Sequence, residues 1–147
     1  MKEAIDTQII ELQRFLEAHP ETEFVDVLLP DLCNIVRGKR VGRKHLEKLY
    51  DQGILIPSST FLLDVNGVGT NAGGRGFSDG DPDVTVRPAA GSLAPVSWAG
   101  PGAAQVLGIL YELDGEPCPV DPRHVLPRVV SRLADDGLYP VVALELG

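Results

Sequence analysis

The sequence predicts an α+β domain built on a mixed sheet, and three observations carry that prediction. A helical segment with one greasy face opens the chain, short runs rich in Val, Ile and Leu broken by Gly, Pro and Asp follow, and a second helical segment comes after the strongest run. The 147 residues suffice for one domain with a core of its own, without disulfide or metal staples. A hydrophobic share of 44% and a charged share of 23% are ordinary globular values and argue against both disorder and a membrane protein.

In the opening segment Ile5, Ile9, Leu12 and Leu16 recur at helical spacing with Phe15 beside the stripe, and Pro20 disfavours helix at His19, so residues 1–20 are assigned to an N-terminal helix. The stretch "EFVDVLLPDLCNIVRGKRV" holds two apolar runs separated by Pro30, Asp31 and Asn34, which predicts a hairpin, with a bulge expected at Gly38. "RKHLEKLYDQG" predicts a short helix carrying Leu46, Leu49 and Tyr50 on one side, with Gly53 just beyond its end. Arg37, Lys39, Arg40, Arg43 and Lys44 form the one basic cluster of the chain; they read as a solvated hairpin arm and helix start, the alternative being an anion or subunit contact.

Beyond a glycine-rich loop, "DVTVRP" predicts a strand, "LAPVSW" an extended segment interrupted by Pro95, and "AQVLGILYEL" the clearest strand of all. Asp114 and Gly115 supply a turn, and Asp121 with Pro122 predicts an N-cap followed by proline at the first helical position. The next helix carries Val125, Val129 and Leu133 on one face, tolerates Pro127 in its first turns and stops near Gly137. "YPVVALELG" reads as one more strand, cut off.

Thirteen Lys and Arg against 21 Asp and Glu give a net charge of −8, which disfavours a nucleic-acid partner. The opening residues are too charged for a signal peptide or a membrane span, and the expectation is a cytoplasmic protein with no membrane partner. Cys33 and Cys118 lack the paired spacing of a zinc site or a disulfide framework and are expected to be reduced thiols.

The stretch "FLLDVNGVGTNAGGRGFSDGDPDVTVRP", residues 61–88, sets glycines between two acidic clusters, and a loop this long is functional or disordered. Gly67, Gly69 and Gly73 are spaced one residue too wide for a dinucleotide fingerprint, and no Lys follows in the Walker arrangement. Asp79, Asp81 and Asp83 alternate as in a calcium loop, but Val84 and Ala90 stand where its glycine and its glutamate belong. His19, His45 and His124 pair with no neighbouring nucleophile, which removes a serine or cysteine hydrolase. Two carboxylates remain. Asp64 follows "FLL" and Asp83 precedes "VTV", so both are expected at strand ends, either flanking a concave spot that attracts an amine or acting simply as turn formers.

"FLLDVNG", "GDPDVTVRPAAGSLAPVSWA", "AQVLGILYELDGEPCPVDPRHVL" and "YPVVALEL" together resemble the N-terminal region of the glutamine synthetase family, from about Phe24 onward. "LPDL", "VRGKR" and "GSLAPVSWA" are similar to the gamma-glutamylputrescine synthetase branch. The resemblance implies a β-grasp domain over residues 21–137, with a curved mixed sheet and helices packed on it, residues 138–147 then being the first strand of a missing catalytic domain. It implies an ATP-dependent ligase that joins glutamate to an amine, ammonia or a polyamine, with Mg2+ or Mn2+ in the parent enzyme and no cofactor in this stretch alone. It implies a homo-oligomeric ring in which this domain forms the subunit interface and the amine-side wall of a neighbour's site.

By the same resemblance Asp64 takes the position of the catalytic aspartate that receives the amine, and Asp83 that of a second acid binding the substrate. Val65, Asn66 and Gly67 replace the serine-rich sequence of enzymes that use free ammonium, which points to an organic amine. Glu145 matches the first acid of a metal-ligating E-x-E pair, but Gly147 stands where the second belongs, so the motif is incomplete. The competing expectation is a free-standing ubiquitin-like interaction module without catalysis.

Overall fold

The computed structural model describes residues 2–71 and 74–145. The expected helix forms as α1 (Lys2–Ala18). Leu12 is fully buried from it, with Ile9, Phe15 and Leu16 packed against the core. The hairpin is β1 (Phe24–Pro30) and β2 (Val36–Gly42), paired antiparallel. Its register runs from Phe24 opposite Gly42 to Pro30 opposite Val36 without interruption, so the bulge expected at Gly38 is absent. Gly38 serves close approach instead: a Cβ there would lie 1.8 Å from the Val27 carbonyl oxygen, at a φ of +155° that side chains rarely adopt.

A 3₁₀ turn over Arg43–His45 leads into α2 (Leu46–Gln52), which buries Leu46, Leu49 and Tyr50. Gly53 ends the helix at φ 78° with its N–H on the Leu49 carbonyl. The chain then enters β3 (Ile54–Pro57), a strand that the sequence reading did not assign. β4 (Asp83–Pro88), the two-residue β5 (Ala94–Pro95) and β6 (Ala103–Tyr111) complete a curved sheet. The strand order is β2-β1-β6-β4-β3, with β5 also on β6. Only β1 and β6 run parallel among these pairs; the others are antiparallel. One sheet face, with Val25, Val27, Val84, Val86, Val106 and Leu110, joins Leu12, Leu46 and Leu49 in a single core. This is the β-grasp arrangement of a mixed sheet around helices, as expected.

Asp121 caps the last helical segment, its Oδ1 accepting from the Arg123 N–H at 2.9 Å with Pro122 in the first position. α3 (Val125–Asp135) follows, but it does not pack on the sheet as expected: none of its residues is buried, and Val125 and Val129 face solvent. Its apolar stripe has no described element to cover it. The further strand expected over 138–147 does not form across residues 138–145, which are exposed and without regular structure. A strand exists only beside a partner, and no described sheet edge pairs with this segment. Leu146 and Gly147, like Ala72 and Gly73 of the central loop, lie outside the described residues.

Candidate functional site

The segment between β3 and β4 is folded by polar clamps. Apolar Phe61, ending a 3₁₀ turn over Ser58–Phe61, and Leu62 just past it anchor its start in the interior, not at a strand end as expected for the residues before Asp64. Proline at 57 and two buried serines favour that turn over continued pairing. At the base Pro57 pairs with Asp83, and the Ser58 N–H donates to the Pro82 carbonyl at 3.0 Å. Asp81 completes the closure: the Ser59 N–H (2.8 Å) and hydroxyl (2.7 Å) both donate to its carboxylate. The Ser59 amide and the Ser59 and Ser58 hydroxyls hold the Asp81 carboxyl below the ordinary range, against a smaller opposing effect of burial.

Further out, Leu63 bridges Gly69, and the Thr70 N–H and hydroxyl both donate to the Leu62 carbonyl at 2.9 and 2.7 Å. Asp64 sits at the tip of this small hairpin. Its Oδ1 accepts from the N–H groups of Val68 and Asn66, each at 2.8 Å, and its own N–H donates to the Val68 carbonyl at 2.9 Å. The Val68 amide, with lesser help from Asn66 and Gly67, lowers the Asp64 carboxyl from its usual value. Asp64 is therefore a turn former and, at neutral pH, a carboxylate anion of fixed orientation.

The turn between β1 and β2 supports this hairpin from behind, where the Cys33 thiol donates to the Leu63 carbonyl at 3.7 Å. That turn is held by buried Asp31, which receives the N–H groups of Cys33 (2.9 Å) and Ile35 (2.8 Å) and the Arg37 guanidinium (2.7 Å). Burial pushes the Asp31 carboxyl up, but the Ile35 amide, Arg37 and the Cys33 amide outweigh it and leave it lowered. On the other flank Arg75 pairs with Glu112 at 2.8 Å just past β6, pinning the far side of the loop to the sheet. The basic cluster is largely engaged within the chain: Arg37 on Asp31, Arg40 on Asp26 and over the Phe24 ring, and Arg43 on the carbonyls of Pro20 and Thr22.

Of the residues singled out from the sequence, Asp83 heads β4 as expected but is exposed, and it shares no hydrogen-bonding partner with Asp64. The acid that joins the loop ends is Asp81, which sequence reasoning had set aside with the calcium pattern. Glu145 is exposed in the irregular terminal segment. Among the described residues no group of three or more His, Cys, Asp or Glu is placed to hold a metal, and no helix is long and apolar enough to cross a membrane. Cys33 and Cys118 are both free thiols, as expected.

No family model matches the chain. It is 42% identical over 136 residues to gamma-glutamylputrescine synthetase PuuA of Escherichia coli (strain K12), a match covering 92% of this chain and 29% of that protein. It is 28% identical to the glutamate–isopropylamine ligase of Pseudomonas sp., over 99% of this chain and 32% of the relative. A crystal structure of a novel glutamine synthase homolog superposes with a TM-score of 0.64 at 25% identity, covering 78% of this chain and 27% of that one. GmaS in complex with ADP gives a TM-score of 0.61 at 22% identity over 84% of this chain and 25% of that one, which bears on the fold alone. The chain thus spans about a third or less of the length of these relatives. The homologues are glutamine synthetase family members, and the chain is similar to them over nearly its whole length.

Proposed function

We propose that this chain is the N-terminal domain of a longer ATP-dependent ligase that joins glutamate to an amine, and that it builds a subunit interface and the amine-side wall of a neighbouring active site. The observation that carries the reading is the fixed Asp64 carboxylate, on a chain 42% identical to a gamma-glutamylputrescine synthetase over 92% of its length. An anion whose orientation is set before substrate arrives loses little freedom on binding and favours a protonated amine electrostatically. An ammonium nitrogen has no lone pair, so a proton must leave before the nitrogen attacks an acyl phosphate; the carboxylate takes that proton, the freed amine forms the C–N bond, and the second N–H proton passes to the departing phosphate or to solvent. Asp83, exposed at the loop base, is proposed as a second negative charge for the amine. Val65, Val68 and Phe77, exposed on the same loop, and exposed Trp98 support an interface with a second subunit of a ring.

Glu145 by itself does not hold a divalent ion, because magnesium is bound by several carboxylates, phosphates and waters together. The subsites for ATP, Mg2+ or Mn2+ and glutamate are accordingly proposed to lie in the larger part of the enzyme, and no step is assigned to them here. The test is Asp64→Asn in the intact ligase. Amide formation should fall by about 100-fold or more with ATP affinity kept. Undiminished turnover at saturating amine would remove Asp64 from the chemistry.

A further inference from the structure

Two members of the basic cluster, Lys39 and Arg40, border a hollow that the ligase reading does not use. A cavity of about 600 Å³ opens between β2 and the start of β3, roofed by α2, and Lys39, Arg40, His45 and Lys48 all line it. No lining residue is acidic, in a chain whose net charge is −8. Arg40 is committed to Asp26 by two hydrogen bonds of 2.8 and 2.9 Å, and Lys48 also borders a separate hollow with Glu47 and Asp51. Lys39 and His45 form no ion pair with any described carboxylate. Ile54 and exposed Leu55 supply apolar surface beside these cations. Both β2 and β3 are edge strands, so each leaves backbone N–H groups outside the ladder.

Convergent positive groups over an apolar floor, in a volume typical of small-molecule sites, define a ligand class by complementarity. We propose that this hollow binds a small organic anion, a phosphate or carboxylate carried on an apolar body. The inference is independent of the role given to Asp64. Anions without the body would meet the cations alone, and the body without the anion would meet only the floor, so a molecule carrying both is held more tightly than either part.

Amide NMR of the chain titrated with phenyl phosphate, inorganic phosphate and phenol tests this. Phenyl phosphate should give saturable shifts centred on residues 39–55, at least tenfold tighter than either inorganic phosphate or phenol. The double substitution Lys39→Glu, Lys48→Glu should weaken binding at least tenfold, and so should Lys39→Gln with Lys48→Gln, while Arg132→Glu on α3 leaves it unchanged; amide dispersion in each variant checks the fold. Non-saturating shifts spread over all surface cations, or equal affinity for inorganic and phenyl phosphate, would overturn the proposal. So would concentration-dependent shifts of the same residues without added probe, which would make the hollow a contact between copies of the chain.

Discussion

Replacing Asp81 with Asn should open the base of the β3–β4 loop at a measurable cost in stability. Two short hydrogen bonds, at 2.8 and 2.7 Å, run from buried Ser59 to the Asp81 carboxylate, while the Ser58 hydroxyl at 3.4 Å adds little. Hydrogen bonds to a charged acceptor contribute about 1.5–3 kcal/mol each, and a neutral amide keeps part of one of them, so the expected loss is about 3 kcal/mol. Asn tolerates the left-handed backbone of residue 81, at φ 51°, so the change reports on the carboxylate and not on strain. For a domain of this size the loss corresponds to a fall of about 6–12 °C in Tm.

The sign of the pH effect follows from the lowered Asp81 carboxyl. A group with a depressed folded-state pKa contributes stability above its unfolded value, near 3.9 for Asp, and that contribution disappears as pH falls through the folded value. The gap between native chain and variant should therefore be full at pH 7 and shrink below about pH 4. Thermal melts across pH, with hydrogen exchange at the Ser59 amide, provide the assay. Melts that coincide within about 1 °C at pH 7, with unchanged Ser59 protection, would refute the clamp.

Gly38→Ala should destabilise the chain by about 3 kcal/mol or more in urea titration, because its Cβ would meet the Val27 carbonyl oxygen at 1.8 Å; a loss under about 1 kcal/mol would show that the hairpin can yield there. Ellman's reagent should modify half-buried Cys33 promptly in the native chain and reach Cys118 only on unfolding, since Cys118 is fully buried and burial pushes its thiol pKa up; two fast thiols in native protein would contradict the packing around the end of β6.

The elements legible in the sequence were those whose pattern answers to their own surroundings. β6 alternates buried and half-buried residues along its length, and α1 repeats its apolar positions at helical spacing, so each announces itself. β3 was missed because its four residues, Ile54–Pro57, follow the helix-ending Gly53 directly and are too few to display a period. α3 was read correctly as a helix, but a helical stripe does not say what it packs on, and no described element buries it. Asp64 was singled out as a carboxylate expected at a strand end, with a turn former as the alternative, and the structure sets it in a turn. The local signal was the Asp-x-Asn-Gly sequence of a side-chain-capped turn, which carries more weight than three preceding apolar residues. The Asp81 clamp was not legible, because the residue that receives the Ser59 hydroxyl is chosen by how two distant chain segments close, not by local pattern.

The placement of β6 has a consequence for synthesis. Phe24 on β1 lies opposite Ala103, and the strand that accepts it also holds β4 and β5, so the middle of the sheet is the last strand to be made. A nascent chain that has left the ribosome only through β5 owns both core helices and the β1–β2 and β3–β4 pairs, yet lacks the strand that joins one pair to the other. Greasy surfaces stay open until the final strand arrives, which makes that interval the one in which chaperone capture and mispairing compete with folding.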